Sequence, residues 1–321
     1  MLYSPLAHQA VVGMISGVHP GYREADFKEN PFRANLRAIG NELEKAKEIA
    51  NGGIIGFNFM TVMNHYEEYV KEAIAAGADF IVSGAGLPVN LAKYAAGTRA
   101  AILPIVSSAR ALKLIVKQWQ RADRLPDAVV VEGPLAGGHL GYPYGHLVDG
   151  TFDTLEDSLV DVVDYVRELE EKNGVKIPVI AGGGVRNHAD MERLMALGAS
   201  GVQVGTKFVA TEECDAAPAF KQAYLRSRKE DVQLIESPVG LAARAIRNSF
   251  LEKVEKQGRI PVQRCYQCMN HCKQAETKYC ISQALIDAVQ GREGLVFCGA
   301  NAYEIEKLST VEKVMQELCG E

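Results

Sequence analysis

Ile177-Pro178-Val179-Ile180-Ala181-Gly182-Gly183-Gly184-Val185, followed by Gly201-Val202-Gln203-Val204-Gly205-Thr206, decides the fold of this 321-residue chain. Each stretch is a short apolar, β-branched run of the kind that forms a strand buried on both faces, and each ends in glycine. A turn too crowded for side chains leaves its backbone N–H groups free to meet an anion. One helix-length segment separates the two turns, the spacing of the phosphate-binding loops after strands seven and eight of a parallel barrel.

Working outward, further strand candidates fall at Val11–Ser16, Ile54–Phe59, Phe80–Ser83, Ala101–Ile105 and Ala128–Glu132. With Pro178–Gly182 and Gly201–Gly205 they make seven. Helix-period segments lie between them, at Glu42–Ala50, Tyr66–Ala76, Ala109–Arg121, Leu155–Lys172 and Ala189–Leu197, with apolar residues three and four apart. Alternating strands and helices predict repeated βα units and a parallel sheet. Ala76-Gly77-Ala78-Asp79 and Leu197-Gly198-Ala199-Ser200 are matching helix-to-strand turns, in which glycine supplies the left-handed cap. Glycines also gather just after the strands, at 84 and 86, at 133, 137 and 138, at 182–184 and at 205. Crowding at strand C-termini favours a closed (β/α)8 barrel with its site on that face over a doubly wound open sheet.

Beyond about residue 212 the character changes, with Pro218, Pro238 and Pro261 punctuating helical stretches and four cysteines between 265 and 280. The expected organisation is therefore a barrel core over 1–211 and an appended helical segment over 212–321 packed on it.

The composition, 47% hydrophobic and 23% charged, can bury a substantial core. A formal net charge of −5 with scattered Lys and Arg argues against nucleic-acid partners. No stretch reaches a membrane span and the start lacks an export signal, so a cytoplasmic protein acting on a small molecule is expected. No feature fixes an oligomeric state. The same reducing setting argues against disulfides among the seven cysteines.

Val129-Val130-Val131-Glu132-Gly133-Pro134-Leu135-Ala136-Gly137-Gly138-His139 reads as a strand followed by a flexible loop that presents one imidazole. A histidine there can exchange a proton with substrate near neutral pH, although a histidine merely hydrogen-bonded in a loop is the plainer alternative. His65, His146 and His188 lack that context and read as helix-end or surface residues. Ser107-Ser108 is read as a helix cap.

These motifs resemble the nitronate monooxygenase (2-nitropropane dioxygenase) family of FMN enzymes, which includes flavin-dependent enoyl-acyl-carrier-protein reductases. The resemblance is carried by Ala136-Gly137-Gly138-His139, by the Gly182–Gly184 triplet and by Gln203 through Glu213, with Ser237-Pro238-Val239-Gly240 to Asn248 as a further element near the substrate entrance. It implies flavin contacts at Asn58, Glu132, Gly137, Gly138, Gly183, Gly184, Gln203, Val204, Gly205 and Thr206, and a catalytic histidine at His139. Two activities follow, oxidation of nitronates or nitroalkanes with O2, and NAD(P)H-fed reduction of an enoyl thioester. A non-catalytic flavin- or metal-binding protein is the third reading. Nitronate oxidisers often carry Gln at the position of Glu132 and Glu at that of Leu135, which loosens the first assignment. The family opens with a strand carrying Gly-Met or Pro-Met, whereas this chain starts at what would be the first helix. The first strand is thus expected to be missing, through a start placed too late or a truncated chain.

Cys265-x2-Cys268-x3-Cys272-x7-Cys280 has spacing that suits zinc or an iron–sulfur cluster, with His271 as a substitute ligand and inert thiols as the alternative. An oxygen-sensitive cluster would favour the reductase.

Overall fold

The computed structural model describes residues 2–4, 10–270 and 272–321, with side chains from residue 11 onward. Seven parallel strands form where the β-branched runs predict them: β2 (Ala10–Ser16), β3 (Ile54–Met60), β4 (Phe80–Gly84), β5 (Ala101–Val106), β6 (Val129–Glu132), β8 (Val179–Gly182) and β9 (Gly201–Gln203). No parallel strand precedes β2 among the described residues. The eighth place is filled by β1 (Leu2–Ser4), which runs antiparallel to both neighbours and closes the barrel, with Leu2 opposite Val12 on one side and Gln203 on the other.

Alternate residues of each strand face one way, and those of one face pack together as Phe80, Val82, Leu103, Ala128, Val130 and Ile180 with Val12, Met14, Ala101 and Ile105 around them. Their partners in the alternation, among them Ile81, Ile102, Val129 and Ala181, are fully buried as well. Burial on both sides is why these strands are continuously apolar.

The helices start on recognisable caps. α1 (Pro31–Ala50) begins with Pro31 in its first turn and with the Asn30 side chain accepting from Arg33 N at 3.1 Å, so it starts eleven residues earlier than the periodic segment from Glu42 suggests. α2 (Tyr66–Ala75), the short α3 (Leu91–Tyr94) and α4 (Ala109–Trp119) follow. Ser108 caps α4 by accepting from Ala111 N at 3.3 Å, and the helix buries Leu112, Ile115, Val116 and Trp119.

The contacts divide the chain into two compact units, but not at one boundary near 211. The first holds residues 1–132, 155–181 and 194–203, hence the barrel and α6 (Leu155–Asn173). The second gathers residues 133–154 and 182–193, the loops that leave β6 and β8, with everything from 204 onward.

This second unit is less helical than its proline punctuation suggests. Its centre is a three-stranded antiparallel sheet of β10 (Val232–Glu236), β11 (Ala242–Ile246) and β7 (Gly138–Leu140), in the order β10-β11-β7. The segment expected as a flexible glycine loop around His139 is therefore a strand held in register, with His139 opposite Ala243. Around the sheet lie α5 (Tyr144–Asp149), α7 (His188–Ala196), α8 (Thr206–Val209), α9 (Pro218–Arg226), α10 (Ser249–Gln257), α11 (Ile281–Val289) and α12 (Val311–Cys319). Ala245, Phe250, Leu251, Tyr279 and Leu295 form one buried cluster of this unit, and Tyr224, Ile246, Val296 and Cys298 another. Among the described residues no helix is long and apolar enough to cross a membrane.

Candidate active site

In the second unit both glycine turns meet the same third segment, Cys298-Gly299-Ala300-Asn301. The Gly299 amide donates to Thr206 Oγ1 at 3.1 Å, Asn301 Nδ2 reaches the Gly184 carbonyl at 3.5 Å, and the Ala300 amide donates to Leu135 O at 3.1 Å. A cavity of about 170 Å³ borders them, lined by Leu135, Gly184, Thr206, Lys207, Gly299 and Asn301 among others. Its cations are tied down. Arg186 forms a forked pair with Asp190, and Lys207 binds the Arg186 carbonyl at 2.6 Å and Glu317 at 2.5 Å.

The glycines are there for different reasons. Gly183 and Gly184 have φ of +99° and +84°, and a Cβ on Gly183 would stand 2.9 Å from Ala136 N, so conformation and close approach both require glycine. At Gly137 a Cβ would lie 2.7 Å from the backbone of Cys298 and Gly299, which again serves packing. Gly205 differs. Its φ of −129° suits any residue, and nothing among the described residues lies within 4 Å of where a Cβ would be. Neither strain nor crowding by the described residues accounts for glycine here. The amides of Gly183, Gly184, Gly205 and Thr206 donate to no protein acceptor among the described residues, and Thr206, whose oxygen accepts from Gly299, retains its hydroxyl proton for a ligand.

His139 Nε2 shares a hydrogen bond with Ser237 Oγ at 2.8 Å, and the ring meets Phe297 edge-on at 5.0 Å. Ser237 is buried at the start of the β10–β11 turn, fixed by its own amide to Leu241 O and its carbonyl from Gly240 N, both at 2.9 Å. Burial pushes the imidazole down to about 4, so it is neutral near pH 7 and can accept or relay a proton but binds one weakly. Arg244, buried on β11, donates through Nη1 to the carbonyls of Pro134 and Ala136 at 2.9 and 2.6 Å, and so anchors the loop between β6 and β7.

In the barrel unit, Asn58, Glu132 and Gln203 lie near the C-terminal ends of β3, β6 and β9. Burial raises the Glu132 carboxyl to about 7. Gln203 Oε1 is buried without a hydrogen-bond partner among the described residues, a cost that a donor would remove. Val204 leads from Gln203 into the second turn.

The expected metal ligands fall between α10 and α11. Cys272 is exposed, Cys265, Cys268 and Cys280 are partly buried, and all seven cysteines are free thiols. Among the described residues no three His, Cys, Asp or Glu side chains converge as a metal-binding group. His271 lies outside the described residues.

Three features escaped the sequence reading. The 298–301 segment reads in retrospect as an apolar run, Gly294-Leu295-Val296-Phe297-Cys298, ending like the strands in Gly299. Phe297 and the His139–Ser237 pairing depend on tertiary register and have no local signal.

The fold is that of a parallel-stranded barrel with glycine turns after its last strands. Comparison with known proteins makes the class specific. The sequence model of the family described as nitronate monooxygenase matches residues 24–321, and the chain belongs to that family. A probable nitronate monooxygenase of Staphylococcus haemolyticus is 35% identical over 136 residues, 42% of this chain and 36% of the relative. A Staphylococcus aureus protein of the same description is 34% identical over 140 residues, with the same shares covered. The matched stretch thus spans about a third of these relatives' length. Among solved structures, FabK from Thermotoga maritima superposes with a TM-score of 0.68 at 24% identity, covering 89% of this chain and 80% of that one. Nitroalkane oxidase from Streptomyces ansochromogenes gives 0.65 at 18%, covering 97% and 88%. At such identities these two likenesses concern the fold.

Proposed function

We propose that the protein is an FMN-dependent oxidoreductase that oxidises alkyl nitronates with O2. The observation that carries this reading is Gly205, an unstrained and uncrowded glycine beside unpaired amides, in a chain of the nitronate monooxygenase family. The amides of Gly183, Gly184, Gly205 and Thr206 would hold the cofactor's phosphate, with the Thr206 hydroxyl as a further donor. FMN supplies the electron-accepting centre when bound.

The chain's own contribution is proton handling and exclusion of water. His139 is neutral and oriented by Ser237, so it can donate one hydrogen bond to an anionic substrate without needing to remove a carbon-bound proton. A base held near 4 is poorly matched to deprotonating a neutral nitroalkane, which supports the nitronate anion as the substrate class. Phe297 meets the imidazole edge-on and walls one side of it.

Glu132 favours a second reading. Its carboxyl, buried and held near 7, stands where nitronate oxidisers often carry an amide, and suits an enzyme fed electrons and a proton by NAD(P)H. Anaerobic stopped-flow mixing of the flavin-loaded protein separates the two. Propyl nitronate should bleach the flavin rapidly, 2-nitropropane more slowly and NADPH scarcely. Rapid bleaching by NADPH with none by nitronate would transfer the assignment to the reductase.

A further inference from the structure

We propose that Ser237 is a positioning residue that holds the ring proton of His139 on Nδ1, and that the site thereby selects a nitronate anion over its neutral nitroalkane. The selectivity rests on the nitronate reading above, whereas the position of the proton does not.

The three-stranded sheet builds the pair. His139, Ala243 and Ile235 stand in a row across β7, β11 and β10, and residues opposite one another in antiparallel strands share a face. A residue before proline is driven to extended backbone, so at Ser237-Pro238 the alternation of β10 carries one residue past its end and Ser237 shares the face of Ile235. The small side chain of Ala243 leaves the imidazole room to cross β11 and bring Nε2 to Ser237 Oγ at 2.8 Å. The turn fixes the rest of Ser237. Its amide donates to Leu241 O and its carbonyl accepts from Gly240 N, both at 2.9 Å, and its Oγ accepts from the Val239 amide at 3.4 Å.

A count of protons decides the direction of the shared bond. The hydroxyl brings one proton and the neutral imidazole brings one, to be placed on either ring nitrogen. Ser237 is buried, and His139 Nε2 is the one acceptor its hydroxyl meets among the described residues. If Nε2 carried the ring proton, that N–H and the Val239 amide would both donate to Oγ, and the hydroxyl proton would be buried without an acceptor, a costly arrangement. With the hydroxyl donating to Nε2, every group of the pair is satisfied. The ring proton then sits on Nδ1, which has no hydrogen-bond partner among the described residues and is the atom left for substrate.

An Nδ1–H is a donor. It can hold an oxygen of a nitronate, which already carries negative charge, but it has no lone pair with which to take the α-proton of a neutral nitroalkane. The opposite tautomer would present a lone pair at the same atom. Discrimination between two protonation states of one substrate class thus traces to the Ser237 hydroxyl.

The test reads the tautomer directly, by long-range proton–nitrogen correlation spectra of the flavin-loaded full chain labelled at histidine nitrogen, with His139 assigned by its loss in His139→Gln. Near pH 7 the ring should be protonated on Nδ1 and bare on Nε2. Ser237→Ala should move the proton partly or wholly to Nε2, and Ser237→Thr, which keeps the hydroxyl, should hold it on Nδ1. In anaerobic mixing, Ser237→Ala should raise the rate of flavin bleaching by 2-nitropropane relative to propyl nitronate several-fold, with flavin content and circular dichroism unchanged, and Ser237→Thr should return the wild-type ratio. A proton on Nε2 in the wild-type chain, or one tautomer shared by wild type and Ser237→Ala, would overturn the positioning role. A substrate ratio that stays put while the tautomer shifts would overturn the selectivity. A tautomer that follows Ser237 in a chain that no nitronate reduces would instead remove the substrate reading and leave the positioning role standing.

Discussion

Gly205 and Gly183 are one residue type with opposite dependences. Gly183→Ala places a Cβ at φ +99° and 2.9 Å from a backbone nitrogen, and should destabilise the protein by about 1–2 kcal/mol. Gly205→Ala meets open space and should leave the melting temperature unchanged while the flavin-to-protein ratio of the purified enzyme falls several-fold. Full flavin retention in Gly205→Ala would remove the argument that this glycine exists for a ligand.

Three buried titratable residues set opposing pH dependences. Burial holds His19 and His139 near 4 against an ordinary 6.5, so between those values the unfolded chain takes up protons that the folded chain refuses, and stability falls as pH drops through that window. Glu132 is held near 7 against 4.5. The folded chain keeps a proton that the unfolded chain releases, and stability falls as pH rises from 4.5 to 7. Each effect is of the order of 1–3 kcal/mol. Melting temperatures from pH 4 to 8 should show Glu132→Gln losing the decline on the alkaline side and His139→Gln losing part of the acid limb. A Glu132→Gln profile parallel to wild type would contradict this.

At the scale of elements, a recurring clip ties one barrel strand to the next. Asp79 stands just before β4, and its carboxylate accepts from Ile55 N of β3 at 2.8 Å while its amide donates to Ile55 O at 2.9 Å. Asp127, before β6, does the same with Ile102 of β5, at 2.8 and 3.1 Å. Ser200, before β9, repeats it with Val179 of β8, at 3.3 and 2.6 Å. The strand-start amide is satisfied by a side chain from the next βα unit, which fixes the stagger between neighbours. Asp79→Ala and Asp127→Ala should each cost about 1–2 kcal/mol in urea unfolding, and Ser200→Ala less, since its hydroxyl is a neutral acceptor. Three equal losses would mean that carboxylate charge is irrelevant to the clip.

The clip also explains what could be read from the chain and what could not. Gly77-Ala78-Asp79 and Gly198-Ala199-Ser200 are visible as twin turns because helix end, glycine cap and strand start are all local. The seven parallel strands were legible for the same reason, each being a continuous apolar run bounded by turns. α1 was half-read, because its first half is set by the Asn30-Pro31 start more than by apolar period. β7 was missed because it pairs with β11 across a long stretch of sequence, and glycines that suit a loop also suit a strand against a close neighbour, whereas β10 and β11 form a local hairpin whose Pro238 turn reads equally as punctuation between helices. The two glycine turns were found by motif. Their third wall at 298–301 was not, since only the folded chain brings it to Thr206.

At the scale of the molecule, the second unit draws on three stretches of sequence, so no single cut separates barrel from appendage. Removing residues from 212 onward would take away β10 and β11, which pair β7, and Arg244, which anchors the carbonyls of Pro134 and Ala136. The segment carrying His139 would lose its scaffold although its own sequence was intact.

The antiparallel strand β1 has a further consequence for how the ring assembles. Strands β2 to β6, β8 and β9 can associate in chain order as an open parallel sheet. β1 can fold back on β2 as a short-range hairpin, the cheap kind of contact in chain entropy. What remains is the pairing of Leu2 and Tyr3 with Gln203 and Val202, two residues joining opposite ends of the barrel sequence. The ring is thus fastened by a two-residue contact between its most distant strands in sequence, a latch that can close last and open first while the rest of the sheet stays formed.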